Sequence, residues 1–414
     1  MIITFTLLEI FLRSKDNAIS AALHQQVGCW HSICLTWVFD YGCAIFNYTK
    51  KLDCRGAACC ARTRDGGPSK RGPYGPIFIA KPLSSLLERD KSRPCNLFRG
   101  SSLFIAAVTT SLSNMALAEC LDILADAGIV GVEISAGGFR GAAHIDPTKL
   151  LGGKGAREMF LSEFSRRSLK LAALAYHGNT LHPDSNIRET HRRDFERAVK
   201  LAPLLGVETV VCLSGCPGAD VQAHHPTWVA SAWPDEMRGI VKWQWEEVAL
   251  PYWEEAARFA SEHGVRLAME MHPSNLVYNP ATLNKLRRAV GNRIGVNVDP
   301  SHLFWQGINP ASAVLELGDA VFHVHIKDVI VDSAAMAVNG CLDGATVLEG
   351  APRTWRFGVV GEGHDEQFWV QFFKSLKEIG YNGPLAIEHE SRVADPVGGI
   401  RQGMKYVKNI LSRV

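Results

Sequence analysis

From residue 103 to the C-terminus, short continuous apolar runs alternate with longer segments whose apolar positions recur at helical spacing. The runs predict strands over Leu103–Thr109, Ile129–Ile134, Leu169–Ala175, Val207–Leu213, Val265–Glu270, Ile294–Asp299, Val321–His325 and Pro384–Glu388. Between and after them the pattern predicts helices over Met115–Ala127, Ala156–Arg167, Arg188–Leu205, Trp243–His263, Ala281–Val290, Ala311–Leu317, Glu366–Ile379 and Gly398–Leu411. Gly128, Gly206, Gly264 and Gly380 each follow a helical segment, where a residue free to turn left-handed ends a helix. The stretch Lys327–Gly363 has no sustained period and reads as a long loop, with Gly361–Gly363 as a turn before the next helix.

Strict strand–helix alternation implies a parallel sheet covered by helices. About eight such units in roughly 310 residues match the size of a closed (β/α)8 TIM barrel with insertions. An open doubly wound sheet is the competitor, but no GxGxxG follows the first strand, where that fold needs its phosphate loop. The barrel is assigned to residues 101–414. Residues 1–100 are read as an N-terminal extension, disordered or outside the domain: Arg62–Pro76 is a Gly/Pro/basic linker by composition, and the aromatic and Cys-rich pieces before it have no period.

Four of the runs end on a residue able to bind a metal: Glu270, Asp299, His325 and Glu388. In a β/α barrel the carboxyl ends of the strands converge on one face, so these residues are expected at one mouth. Three carboxylates and an imidazole suit a divalent ion: Mn²⁺ is expected, with Co²⁺, Mg²⁺ or Zn²⁺ as alternatives. His323 has the same strand parity as His325 and competes with it for the ligand position. Glu133, at the end of the second predicted strand, is read as a support or substrate contact, or as a cap on a neighbouring loop. His272 and Lys327 lie just past strand ends and are expected to face the same cavity; His144, His177 and His182 lie in loops after strands, and Trp305 and Trp355 are the aromatic candidates for stacking on a sugar ring.

The motifs Leu201–Val207, Glu270–Pro273, Asp299–His302, His325–Asp328 and Ile387–Glu390, in this order and at strand ends, together resemble the sugar phosphate isomerase/epimerase family of the xylose isomerase-like TIM barrel superfamily. The resemblance covers residues 103–414. It implies that Glu270, Asp299, His325 and Glu388 are the metal ligands, that His302 is a substrate-side histidine, and that Glu270 and Glu388 double as the acid/base pair. After its last motif the chain reads Glu390–Ser391 where close relatives often carry Glu–Asp, a departure that bears on the substrate and not on the ligand set.

The expected activity is therefore a metal-dependent isomerase or epimerase acting on a sugar or sugar derivative through an enediolate. The alternative is a lyase or dehydratase on inosose or 3-keto-sugar substrates, which shares the first proton transfer. An apurinic endonuclease-like hydrolase is a third reading. It is disfavoured because no Asp-x-His lies between His325 and Glu388, where His364–Asp365 stands in reversed order. A barrel used as a non-catalytic scaffold is the remaining reading.

Charge and cysteine usage refine this picture. The net charge of +2 hides an asymmetry, since residues 1–100 carry 14 Lys and Arg against 7 Asp and Glu while the remainder carries 30 against 35. A mildly acidic body is a poor match to a phosphate backbone, so the expected partner is a small carbohydrate and not nucleic acid. Seven of the 11 cysteines fall in the first hundred residues at spacings that fit no CxxC…CxxC site; free thiols in a reducing cytoplasm are the reading. Met1–Leu12 is apolar but contains Glu9 and lacks a basic start, so it is a poor signal peptide, and no apolar stretch suggests a membrane span. A homo-oligomer is compatible with this reading.

Overall fold

A computed structural model describes residues 103–342, 353–392 and 394–414. Of the first hundred residues it describes only the backbone of a hairpin, β1 (Ile33–Phe39) and β2 (Gly42–Tyr48), paired antiparallel. The rest of the expected extension lies outside the described residues. The chain divides into two units, Met1–Ser92 and Arg93–Val414.

The second unit is a closed barrel. Its strands are β3 (Phe104–Val108), β4 (Gly131–Gly138), β5 (Lys170–His177), β6 (Thr209–Leu213), β7 (Arg266–Glu270), β8 (Ile294–Val298), β9 (Val321–Ile326) and, after a ribbon of β10 (Asp328–Val331) and β11 (Trp355–Gly358), β12 (Pro384–Ile387). Each barrel strand pairs parallel with its neighbours, and β12 closes on β3 through Leu385 opposite Ile105. The helices are α1 (Leu117–Asp126), α2 (Pro147–Gly152), α3 (Lys154–Ser165), α4 (Ser185–Leu204), α5 (Asp235–Trp243), α6 (Leu250–Glu262), α7 (Pro280–Val290), α8 (Pro300–Phe304), α9 (Pro310–Leu317), α10 (Ser333–Asn339), α11 (Glu366–Glu378) and α12 (Pro396–Leu411). Among the described residues no helix is long and apolar enough to cross a membrane.

Strand parity divides the core into two shells. Outward-facing Leu174, Tyr176, Leu267, Met269, Val324, Ile326, Leu385 and Ile387 join the large apolar cluster under the helices. The inward positions between them carry small residues, with Ala173, Ala175, Val211 and Ala268 in one group and Ala106, Val108 and Ala386 in another. Because side chains alternate between faces, the same parity carries His177, Glu270, His325 and Glu388 inward at or just past the ends of β5, β7, β9 and β12. Small inner residues leave room for these large polar ones. On the outside, α4 shows how the helices dock: Asp184 caps its first turn by accepting from the Asn186 and Ile187 N–H groups, and Phe195, Ala198, Val199 and Ala202 form its buried stripe.

Three expectations are corrected. β4 continues to Gly138, so Glu133 lies in mid-strand and not at a strand end. The helix expected from Trp243 starts at Asp235 and continues into α6 through a π-helical turn at Gln244–Ala249. Part of the stretch Lys327–Gly363, expected to be loop, is ordered as the antiparallel β10–β11 ribbon and α10. Strands of four residues are too short to show a period, whereas Asp328 anchors the far end of the ribbon by accepting hydrogen bonds from the Gly361, Gly363 and His364 N–H groups.

Candidate active site at the barrel mouth

Asp299 shows how local sequence positions a functional side chain. It is the N-cap of α8, with Pro300 in the first turn where its missing N–H costs nothing. Its Oδ1 accepts from the Ser301 N–H at 2.9 Å. That bond turns Oδ2 toward Lys327 Nζ, 2.9 Å away, and His302 Nε2, 3.3 Å away.

Glu270, Asp299, His325 and Glu388 are all buried, and each offers one ligand atom within 4.8 Å of the others. His325 Nδ1 lies 3.4 Å from Glu270 Oε2 and 3.2 Å from Glu388 Oε2. Its other nitrogen, Nε2, lies 3.2 Å from both oxygens of Glu133. A carboxylate behind an imidazole takes the proton of the far nitrogen and leaves the near one as a ligand, the arrangement that orients metal-binding histidines. The donor set therefore fits a divalent ion held by three carboxylates and one imidazole. Two further groupings, Glu133/His323/His325 and Glu270/His272/His302, share His325 and Glu270 with this one.

The structure separates the two histidines of β9. Both point inward, but His323 sits two residues deeper, with Nε2 2.6 Å from Glu133 Oε2. Glu133 thus lies beneath the four-residue cluster, fully buried between the histidines, as a support and not at the open cavity. Burial alone would raise its pKa, but the charges of His325 and His323 and their hydrogen bonds outweigh burial and hold it at about 2.

Around the four, Glu270 is the most constrained. Its Oε2 accepts from Asn297 Nδ2 at 2.9 Å and lies 3.2 Å from His177 Nε2, and its Oε1 lies 3.2 Å from His302 Nε2. Burial works against its charge, but the hydrogen bonds of His177 and His302, with the charges of His177 and His325, keep its pKa well below the ordinary range. Glu388 is held ionised in the same way by Lys327 and His325. Burial also opposes the Lys327 ammonium, and Asp299 and Glu388 outweigh it, so the lysine stays charged. Lys327 Nζ contacts Glu388 Oε2 at 2.6 Å and Glu390 Oε2 at 2.8 Å, and it faces the Phe357 ring of the ribbon at 4.8 Å. His272 packs on His302 with ring centroids 4.1 Å apart. Burial, reinforced by the charge of His302, lowers its pKa to about 3 and leaves it neutral.

Glu270, Asp299, His325, Glu388, His302, His272, Lys327 and His177 are therefore brought together. Trp305 is not drawn into this group; its ring stacks on Trp355 at 4.8 Å. His144 and His182 are engaged by backbone groups, with Nε2 of the first 3.1 Å from the Met115 carbonyl and Nδ1 of the second accepting from the Asp184 N–H. Sequence reasoning missed Asn297, although it shares the inward parity of Asp299 two residues on. It also missed Arg140, on the loop after β4, which pairs with Glu390, and Phe357, on the ribbon read as loop.

Comparison with known proteins places this arrangement. Residues 121–410 match the family model described as xylose isomerase-like TIM barrel. Over 312 residues, 75% of this chain and 99% of the relative, the sequence is 38% identical to the uncharacterized protein YfiH of Bacillus subtilis (strain 168). It is 30% identical over 148 residues to the rhizopine catabolism protein MocC of Rhizobium meliloti, covering 36% of this chain and 43% of that protein. It is 27% identical over 154 residues to an inosose dehydratase of Clostridium botulinum (strain Alaska E43 / Type E3), covering 36% of this chain and 50% of the enzyme. The last two matches thus span half or less of those relatives. Among solved structures, the probable 3-DHS dehydratase AsbF from Bacillus anthracis aligns with a TM-score of 0.53 at 12% identity over 74% of this chain and 99% of that one. A D-tagatose 3-epimerase-like protein aligns with a TM-score of 0.52 at 19% identity over 75% and 98%. At such identities the structural likeness speaks for the fold alone. With the family model matched across most of the barrel and the closed parallel sheet in place, the chain belongs to the xylose isomerase-like TIM barrel family.

Proposed function

We propose that this protein is a divalent-metal-dependent isomerase or epimerase that moves a proton at the carbon beside the carbonyl of a sugar or sugar derivative. The carrying observation is the placement of two buried, ionised carboxylates, Glu270 and Glu388, 3.4 and 3.2 Å from the same His325 nitrogen, with Asp299 in the same cluster. Glu270, Asp299, His325 and Glu388 hold the ion, with Mn²⁺ the expected metal. Bound there, a divalent ion supplies Lewis acidity toward a carbonyl oxygen. Glu270, fixed by Asn297 and flanked by His177 and His302, takes the proton from one face of the carbon, and Glu388, after taking a proton from solvent, delivers that proton to the other face for epimerisation, while Glu270 loses its own to solvent. Lys327 stays charged beside Asp299, Glu388 and Glu390 and offsets the negative charge of the carboxylates. His302, beside both Glu270 and Asp299, donates to a substrate hydroxyl.

A second reading is a dehydratase, which shares the first proton transfer at Glu270. An elimination then passes the proton that Glu270 has taken from carbon to a departing hydroxyl, so that a C–H proton and the hydroxyl leave as water. The partial likeness to inosose dehydratases supports this reading.

The test is turnover of ketoses and inososes in D₂O by protein loaded with Mn²⁺. Deuterium is expected at the carbon beside the carbonyl, with about one ion per chain, lost in the Glu270→Gln/Asp299→Asn double variant. Glu388→Gln should lower turnover roughly 10²–10⁴-fold. Loss of water with formation of a conjugated enone selects the dehydratase. An active enzyme that incorporates no deuterium and tolerates Glu388→Gln overturns both readings, and two or three tightly bound zinc ions point to a hydrolase instead.

A further inference from the structure

The loop after β4 and the loop after β12 meet over the mouth of the barrel. At the end of β4, Gly138 has φ +77° and packs against the end of β5, where a Cβ would lie 2.3 Å from the His177 carbonyl oxygen. The chain then turns Arg140 toward Glu390, whose Oε1 it pairs with while Lys327 Nζ takes Oε2 at 2.8 Å. One carboxylate outside the ligand set thus engages both the buried ammonium and the half-exposed guanidinium. Lys327 also contacts Asp299 and Glu388 of the cluster, whereas Arg140 reaches Glu390 alone.

The charges decide what the mouth can receive. Glu270, Asp299, Glu388 and Glu390 bring four negative charges, and Lys327 and Arg140 bring two positive ones. The two left over are those a single divalent ion cancels. Neither Lys327 nor Arg140 is uncommitted. To pair with Lys327 or Arg140, a phosphate or carboxylate entering here would have to displace Glu390.

We infer that the substrate is an uncharged polyhydroxy ketone, and that Glu390 excludes phosphorylated and carboxylated analogues by occupying Lys327 and Arg140. This rests on the metal-dependent reading above and narrows it. Glu390 is a positioning and specificity residue: it holds the ammonium at the edge of the site while Asp299 and Glu388 serve the ion.

Two measurements on the full chain loaded with Mn²⁺ test it. In the first, kcat/KM is compared for D-fructose and its terminal phosphate monoester, and for an inosose and a cyclic keto acid. The neutral member of each pair is expected to lead by roughly tenfold or more, the scale of one uncompensated charge about 10 Å away at an effective dielectric constant of about 20. A wild-type preference for the charged member overturns the inference. In the second, binding of inorganic phosphate is followed by calorimetry in wild type, Glu390→Gln and the charge-conserving Glu390→Asp. Glu390→Gln is expected to gain roughly tenfold in phosphate affinity, with Glu390→Asp near wild type. Tight phosphate binding by wild type, or none gained by a folded Glu390→Gln protein, overturns it. The phosphate measurement needs no turnover, so it stands even where the proton-transfer chemistry fails its own test. If Glu390→Gln does not fold, the wild-type substrate pairs and wild-type phosphate binding decide.

Discussion

Replacing Glu133 by Gln tests the support beneath the site without touching a proposed ligand. Glu133 is fully buried and faces His325 Nε2 with both oxygens at 3.2 Å and His323 Nε2 with one at 2.6 Å. A carboxylate accepts from both imidazoles. A glutamine has one accepting oxygen, and its NH₂ must face the other ring. If the NH₂ faces His325, that ring carries its proton on Nδ1, the atom 3.2 and 3.4 Å from Glu388 and Glu270, and the ligand becomes a donor. Losing a supporting partner of this kind weakens metal binding by roughly 10–100-fold, or about 1.4–2.7 kcal/mol. Protein without metal should lose about 1–3 kcal/mol, because a buried polar partner is left mismatched. Calorimetric titration with Mn²⁺ reads the first quantity and urea unfolding without metal reads the second. Unchanged Mn²⁺ affinity in a folded Glu133→Gln protein would refute the idea that Glu133 sets the His325 tautomer. A stability loss with no affinity loss would reduce its role to packing.

Further outcomes follow from the same geometry. Without metal, burial works against a charged His325, but Glu133 and Glu388 raise its pKa well above the ordinary histidine value, so ligation must displace a proton. Mn²⁺ titrations near neutral pH in buffers of different ionisation enthalpy should show about one proton released, and affinity should fall as pH drops through the raised pKa; pH-independent binding would contradict this. His302→Asn should raise KM while the ion stays bound, measured by metal analysis beside kinetics; loss of the ion would make His302 a ligand. A chain starting near Ser101 should stay folded and keep its metal, since the barrel closes on itself from Phe104; insoluble protein would show that the barrel needs the first hundred residues.

Much of this site is legible in the linear sequence because parallel strands buried on both faces read as short apolar runs, and the polar residue that interrupts such a run at its end has one place to go. Glu270, Asp299, His325 and Glu388 were readable on that ground, as was a barrel in preference to an open sheet. Strand parity also shows which side chains point inward, and Asn297 could have been found that way. Parity gives the face but not the height. His323 and His325 share a face, and the stagger of tilted strands around a closed barrel sets which of them stands level with Glu388 and which lies below on Glu133. The loops carry no period at all. That Arg140 meets Glu390 across the mouth, or that Phe357 lies over Lys327, depends on which strand ends closure makes neighbours. Local sequence therefore determined the candidate ligands, because burial pattern and chain direction are short-range properties. Only the tertiary structure decided their partners, tautomers and charge balance, because these depend on contacts between residues as far apart in the chain as Glu133 and His325.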